Sequence, residues 1–144
     1  MEVALKTQEL YPDFVQAYRL LSLRYLAKEL FDKAIVENHR WGKLSGIKIK
    51  TEIAQAHIYA AAGRKAEAKR IVKKVEAGGL GPNDYRSMAF IFAAMGENDR
   101  AIKWLKKSVD MHEESLCSLK IDPKFDSLHS DPRFDLILKR IGLS

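Results

Sequence analysis

Four histidines, one cysteine, a glycine cluster and two Asp-Pro pairs are the residues of this chain with ligating or reactive potential. Metal ligands on a helix need a spacing of three or four so that they share one face. No two of His39, His57, His112 and His129 stand that way, and Cys117 has no second thiolate to complete a zinc centre. Cys117 also lacks a local base-and-orienter signature for nucleophilic catalysis. Gly78-Gly79-Leu80-Gly81 lacks the Gly-Lys-Ser/Thr ending of a phosphate loop and follows a helical pattern where such a loop follows a strand, so it reads as a connection. Asp122 and Asp131 each precede proline. There the carboxylate caps free amides and the proline loses no hydrogen bond, which describes a helix start better than an acid–base pair. These readings predict no catalytic residue, no metal and no cofactor.

The basic residues raise a different chemistry. The chain carries a formal charge of +6, and His39-Arg40, Lys73-Lys74 and Lys106-Lys107 recur at nearly even spacing, joined by Arg70 and Lys103. Such a ladder could neutralise phosphates. Glu67, Glu76, Asp99 and Asp110 dilute it, and no aromatic stands obviously among these cations for base stacking. A solvated outer face is the preferred reading, and nucleic acid is disfavoured as a partner. The longest uncharged apolar stretch, Met88 to Gly96, is too short to span a bilayer. The start "MEVALKTQEL" has no apolar signal core. With a single cysteine, these features lead to the expectation of a cytoplasmic protein without membrane contact.

The elements that must position these residues repeat. Ala61-Ala62-Gly63-Arg64-Lys65-Ala66-Glu67-Ala68 has counterparts 33 residues downstream in Ala94–Ala101 and 34 upstream in Ala27–Ala34. Both end alanines coincide in all three; the glycine recurs at Gly96 and is replaced by Glu29. An aromatic stands four residues before each of these positions, at Tyr25, Tyr59 and Phe92, and a small residue three earlier still, at Ser22, Ala56 and Ala89. Spacings of three, four and seven mark one face of a helix. After each elbow a second amphipathic run begins, as with Ala68, Ile71, Val72 and Val75. The unit is helix, tight turn, helix: glycine ends one helix, charges face water, and alanine admits a close neighbour. The fold class expected is all-α.

These residues resemble the tetratricopeptide repeat, whose 34-residue pattern places an aromatic, Leu-Gly, Tyr and Ala in order. The first copy presents Tyr18, Leu21-Ser22, Tyr25 and Ala34, and the third Tyr85, Met88-Ala89, Phe92 and Ala101. The second departs, with Glu52 and Gln55 where large apolar residues are usual. The run "LKIDPKFDSLHSDPRFDLILKRIGL" resembles the end-of-group segment of bacterial repeat proteins, found downstream of winged-helix, kinase or adenylate-cyclase domains. The resemblance implies an α-solenoid of about three hairpins in one domain. Residues 1–12 would be the tail of an incomplete repeat, 13–46, 47–80 and 81–114 the repeats, and 115–144 a C-terminal cap. Phe125, Leu128, Phe134, Ile137, Leu138 and Ile141 would close the last apolar face. Val3, Leu5 and Leu10, lacking a covering helix, would pack back or mediate self-association through the N-terminal edge.

The resemblance further implies a non-catalytic scaffold that takes an extended peptide or protein partner in a concave groove of first helices. Its lining would be Gln16, Arg19, Leu20 and Leu23, then Lys50, Ile53 and His57, then Asn83, Arg86, Ser87 and Phe90. The carboxylate clamp of co-chaperone relatives is not matched, since Arg19, Leu23, Ala54 and Ser87 stand at its places, with only Asn83 of the required type. Heat-shock chaperone tails are therefore disfavoured. The alternative is a regulatory or sensory segment of a larger bacterial signalling protein controlling a kinase, cyclase or winged-helix domain.

Overall fold

Every element of the computed structural model is helical, and the structure describes residues 15–81, 84–111, 120 and 122–142. The helices are α1 (Val15–Ala27), α2 (Phe31–Ser45), α3 (Lys48–Ala61), α4 (Lys65–Gly78), α5 (Tyr85–Ala94), α6 (Asn98–Asp110), a 3-10 helix (Pro123–Leu128) and α7 (Pro132–Arg140). The protein is all-α, with no strand among the described residues. The chain divides into two compact units, residues 1–71 and 72–144, and the division falls inside α4. Val3, Leu5, Leu10, Asn83, His112 and Cys117 lie outside the described residues.

Three elbows join helices by one backbone geometry. The N–H groups of Leu30, Arg64 and Glu97 donate to the carbonyls of Tyr25, Tyr59 and Phe92 at 2.9, 2.8 and 2.9 Å. That bond requires the residue before each donor to turn left-handed, and Glu29, Gly63 and Gly96 have φ of 58°, 79° and 77°. Two of the three are glycine because a Cβ there costs about 1–2 kcal/mol. Glu29 bears that strain. Glycine would remove it but adds about 0.5–1 kcal/mol of unfolded-chain entropy, so Glu29→Gly is expected to raise stability by about 0.5–1 kcal/mol. Gly63→Ala is expected to lower it by about 0.5–1 kcal/mol, the strain less the entropy that alanine removes from the unfolded chain. Urea unfolding of both variants checks the pair; opposite signs are expected, and equal signs contradict the elbow assignment.

In the first unit α1 packs on α2, and α2 on α3. Ala17, Tyr18 and Leu21 of α1, Ala34 and Trp41 of α2, and Ala56, Ile58 and Ala60 of α3 are buried. The small residue of α1 does more than leave room for α2. The buried Ser22 hydroxyl donates to the Ala34 carbonyl at 2.8 Å, tying α1 to the first turn of α2. Between α2 and α3, Gly42 faces Thr51 so closely that an added Cβ would stand 3.3 Å from the Thr51 Cβ and collide with its methyl. The Asn38 amide, also buried, donates to Gln55 Oε1 at 2.7 Å and to the Thr51 carbonyl at 3.2 Å.

In the second unit α5 packs on α6, the 3-10 helix on α5, and α7 on α6. Met88, Ile91, Phe92, Ile102 and Leu105 are buried together with Phe125, Leu128, Phe134, Ile137 and Leu138. Five of the six apolar residues expected to close the C-terminal end thus lie in the core, and Ile141 is half-buried. α7 begins with Pro132 and is capped by Asp131, whose carboxylate accepts from the Arg133 N–H at 2.9 Å and from its guanidinium at 2.7 Å. Arg133 reaches Asp99 at the start of α6 as well, at 2.8 Å, so one guanidinium ties two helix starts.

The Arg133 guanidinium, and then its backbone N–H, hold Asp131 below the ordinary carboxylate range. A depressed folded-state pKa contributes stability above the ordinary carboxylate range, and that contribution is lost as pH falls through the folded value. Asp131→Asn keeps a good cap but removes the titration. Thermal melts across the acid range are expected to show a shallower loss of stability in the variant. An identical acid limb would contradict this role.

Candidate functional site

On α1, Arg19, Leu20 and Leu23 stand three, four and seven residues after Gln16, which places the set on one side of the helix. Ala17, Tyr18, Leu21 and Ser22 occupy the buried side. All four residues of the first set are exposed, and Leu20 and Leu23 retain 41% and 47% of their accessible surface. Two large apolar side chains at one spot on a helix are poor company for water. The Arg19 guanidinium lies 5.5 Å from the centre of the buried Trp41 ring. The ring face attracts the cation and restricts it, leaving its outward N–H donors oriented.

The other expected groove positions in the first unit divide. Lys50 is exposed and His57 half-buried, whereas Ile53 is buried at 6% exposure and belongs to the core. Gln55, the polar residue at a usually apolar place, is buried because Asn38 supplies its partner. That pairing lets a polar side chain stand inside the α2–α3 interface.

In the second unit the corresponding face is engaged within the chain. Arg86 donates to Asp122 Oδ2 at 2.8 Å, and each of these side chains is only 16% exposed. The Arg86 guanidinium also lies 5.1 Å from the centre of the Phe90 ring. Phe90 meets the fully buried Phe125 with ring centres 4.4 Å apart. Ser87, between them in sequence, is half-buried. Asp122 is therefore more than the residue before a proline: it anchors the C-terminal segment to α5. Sequence reasoning missed this because Arg86 and Asp122 are 36 residues apart and no local spacing relates the one to the other.

The remaining candidates resolve simply. His39 and His129 are exposed, His129 stacking on Phe134 with centres 5.3 Å apart. Among the described residues no group of three or more His, Cys, Asp or Glu could hold a metal ion. In the glycine cluster, Gly79 takes a left-handed φ of 86° just past the end of α4, and the Gly81 N–H donates to Asp84 Oδ2 at 2.8 Å. A carboxylate of the chain itself thus takes that amide. The basic positions His39, Arg40, Arg70, Lys73, Lys74, Lys103, Lys106 and Lys107 are all exposed. One aromatic does stand among them: Trp104 stacks on Tyr85 at 5.8 Å, and the Lys107 ammonium lies 5.2 Å from Trp104 and 4.8 Å from Tyr85. No described helix is long and apolar enough to cross a membrane.

Comparison with protein-family models, with curated proteins and with solved structures returns no match for this chain.

Proposed function

We propose that this protein is a non-catalytic scaffold built as an α-solenoid of tetratricopeptide hairpins, binding an extended peptide or a protein partner along its first helices. The single observation that carries the reading is the outward side of α1, where Arg19 stands beside the exposed Leu20 and Leu23. A charged donor beside apolar groups at helical spacing suits an extended chain, which offers carbonyls, carboxylates and side chains in turn. Lys50 and His57 extend the same chemistry on α3. The repeated elbow geometry supports the solenoid, and the all-helical architecture is compatible with it. The cytoplasm is the compartment that fits the lone cysteine. A second reading, a regulatory segment within a larger bacterial signalling protein, is supported by the resemblance of the C-terminal run to the end-of-group segment.

The test takes a partner isolated by affinity capture and then purified, and titrates it against variants. Arg19→Ala and Leu23→Ala are each expected to weaken binding by about tenfold or more, the loss typical of a central contact. Lys73→Ala, Lys74→Ala and Lys107→Ala are expected to change it by less than about twofold. Loss confined to the lysine set, with steep salt dependence, would overturn the groove reading in favour of an electrostatic outer surface.

A further inference from the structure

The second unit contains a worked example of what its α5 surface binds. Two residues one helical turn apart, Arg86 and Phe90, hold two residues of the C-terminal segment, Asp122 and Phe125. The carboxylate goes to the guanidinium at 2.8 Å, and the aromatic ring goes to the ring at 4.4 Å. The proline between them opens the 3-10 helix that brings a carboxylate and a ring three residues apart onto one side. A helical Arg-x-x-x-apolar pair therefore reads an Asp-Pro-x-Phe turn.

The repeat period transfers this arrangement onto the first unit. The elbow alanines Ala27 and Ala94 are 67 residues apart, and the same offset relates Arg19 to Arg86 and Leu23 to Phe90. The burial pattern follows the offset: Leu21 and Met88 are fully buried, as are Ala34 and Ala101, with Ser22 and Ala89 beside them. The supporting ring follows in kind, since Trp41 lies under Arg19 as Phe90 lies under Arg86. Ile53 and His57 stand at the same places in the middle copy, and neither residue reproduces the chemistry. The difference between α1 and α5 is occupancy. Arg86 is covered by Asp122, while Arg19 is exposed and has no acidic partner among the described residues; Leu23 keeps 47% of its surface.

We infer that the Arg19–Leu23 face of α1 is a recognition site for a peptide turn of the form Asp-Pro-x-Phe from a partner protein, a site that α5 fills from within the chain. The inference rests on the scaffold reading and specifies its ligand. The occupant is a partner's peptide because both Asp-Pro-x-Phe runs of the chain are committed within it: Asp122 and Phe125 to α5, Asp131 to Arg133, with Phe125 and Phe134 fully buried. Its charge is complementary: a carboxylate meets Arg19 on a chain of net charge +6. Leu23, smaller than Phe90, accepts the aromatic side chain with Leu20 beside it.

The probe is a labelled synthetic peptide of sequence LKIDPKFDSL, copied from residues 119–128, titrated into the full-length protein labelled for NMR. Binding in the micromolar range is expected, with resonance shifts at residues 19–23. Arg19→Ala and Leu23→Ala are each expected to weaken it at least fivefold, as are peptides in which the Asp becomes Asn or the Phe becomes Ala. Far-ultraviolet dichroism confirms that each protein variant remains helical, and Arg19→Lys, which keeps the charge but loses the planar fork, is expected to fall between wild type and Arg19→Ala. Shifts confined to residues 86–90 would overturn the inference, because the peptide would then be exchanging with the chain's own segment. Absence of binding, while a captured partner still depends on Arg19, would overturn the Asp-Pro-x-Phe chemistry and leave the scaffold reading intact. A captured partner that ignores Arg19 and Leu23 would defeat both.

Discussion

Phe125→Ala is expected to lower the stability of the 72–144 unit by about 3–5 kcal/mol, the range for removing a fully buried phenylalanine. Phe125 has no exposed surface and touches Phe90 on one side and Phe134 on the other, at ring separations of 4.4 and 6.4 Å. Truncation leaves a hole bordered by α5 and α7, because helices held by Leu128, Ile137 and Leu138 cannot fully collapse into it. Urea unfolding followed through Trp104, in a Trp41→Phe background so that the signal arises within this unit, gives the measurement. Leu136→Ala serves as the comparison, since Leu136 is 64% exposed and a change within about 0.5 kcal/mol is expected there. Equal midpoints for the Phe125 and Leu136 variants would show that the C-terminal segment does not close the core.

The polar contact between α2 and α3 carries the second large effect. Asn38→Leu is expected to cost about 2–4 kcal/mol, because it leaves the buried Gln55 amide without its hydrogen-bond donor and forces a branched side chain against it. Among the described residues Gln55 Nε2 has no hydrogen-bond partner, so the loss at Oε1 removes the hydrogen bond that satisfies this side chain. Adding Gln55→Leu is expected to restore much of the stability, since replacing both partners with apolar groups removes the unsatisfied atoms. A double-mutant cycle by chemical denaturation reads the coupling directly. Additive losses would contradict the account.

The helical class and the three elbows were legible in the sequence because they depend on local chemistry. Glycine at the left-handed position, alanine at the contact and an aromatic four residues before the turn act within a dozen residues. Glu29 was recognised as the glycine's replacement although it does not favour that backbone, since the flanking alanines and Tyr25 still marked the register. The core of the C-terminal segment was legible for a similar reason: Asp-Pro announces a helix start, and the apolar spacing after it names the buried face. The hydrogen bond from Ser22 to Ala34, the pairing of Asn38 with Gln55, and the clasp of Asp122 by Arg86 were not. Each joins residues 12 to 36 positions apart, where no periodicity relates the partners. A polar residue in an apolar place, as at Gln55, was the only available sign that a partner must exist. The same limit affected the expected groove. Ile53 falls on a buried position that helical spacing alone does not mark, and Arg86 and Phe90 face a segment whose path the repeat period does not predict.

The surface that a partner touches decides most directly between the outward side of α1 and the basic outer positions. Methyl-labelled protein, titrated with a purified partner, reports this through Leu20 and Leu23, which are exposed, against Leu105, which is fully buried. Large shifts or line broadening are expected for the Leu20 and Leu23 methyls, with little change at Leu105 and persistence of the complex when salt is raised. Unmoved Leu20 and Leu23 methyls, with backbone shifts concentrated at residues 103–107 and binding lost at moderate salt, would contradict the groove reading.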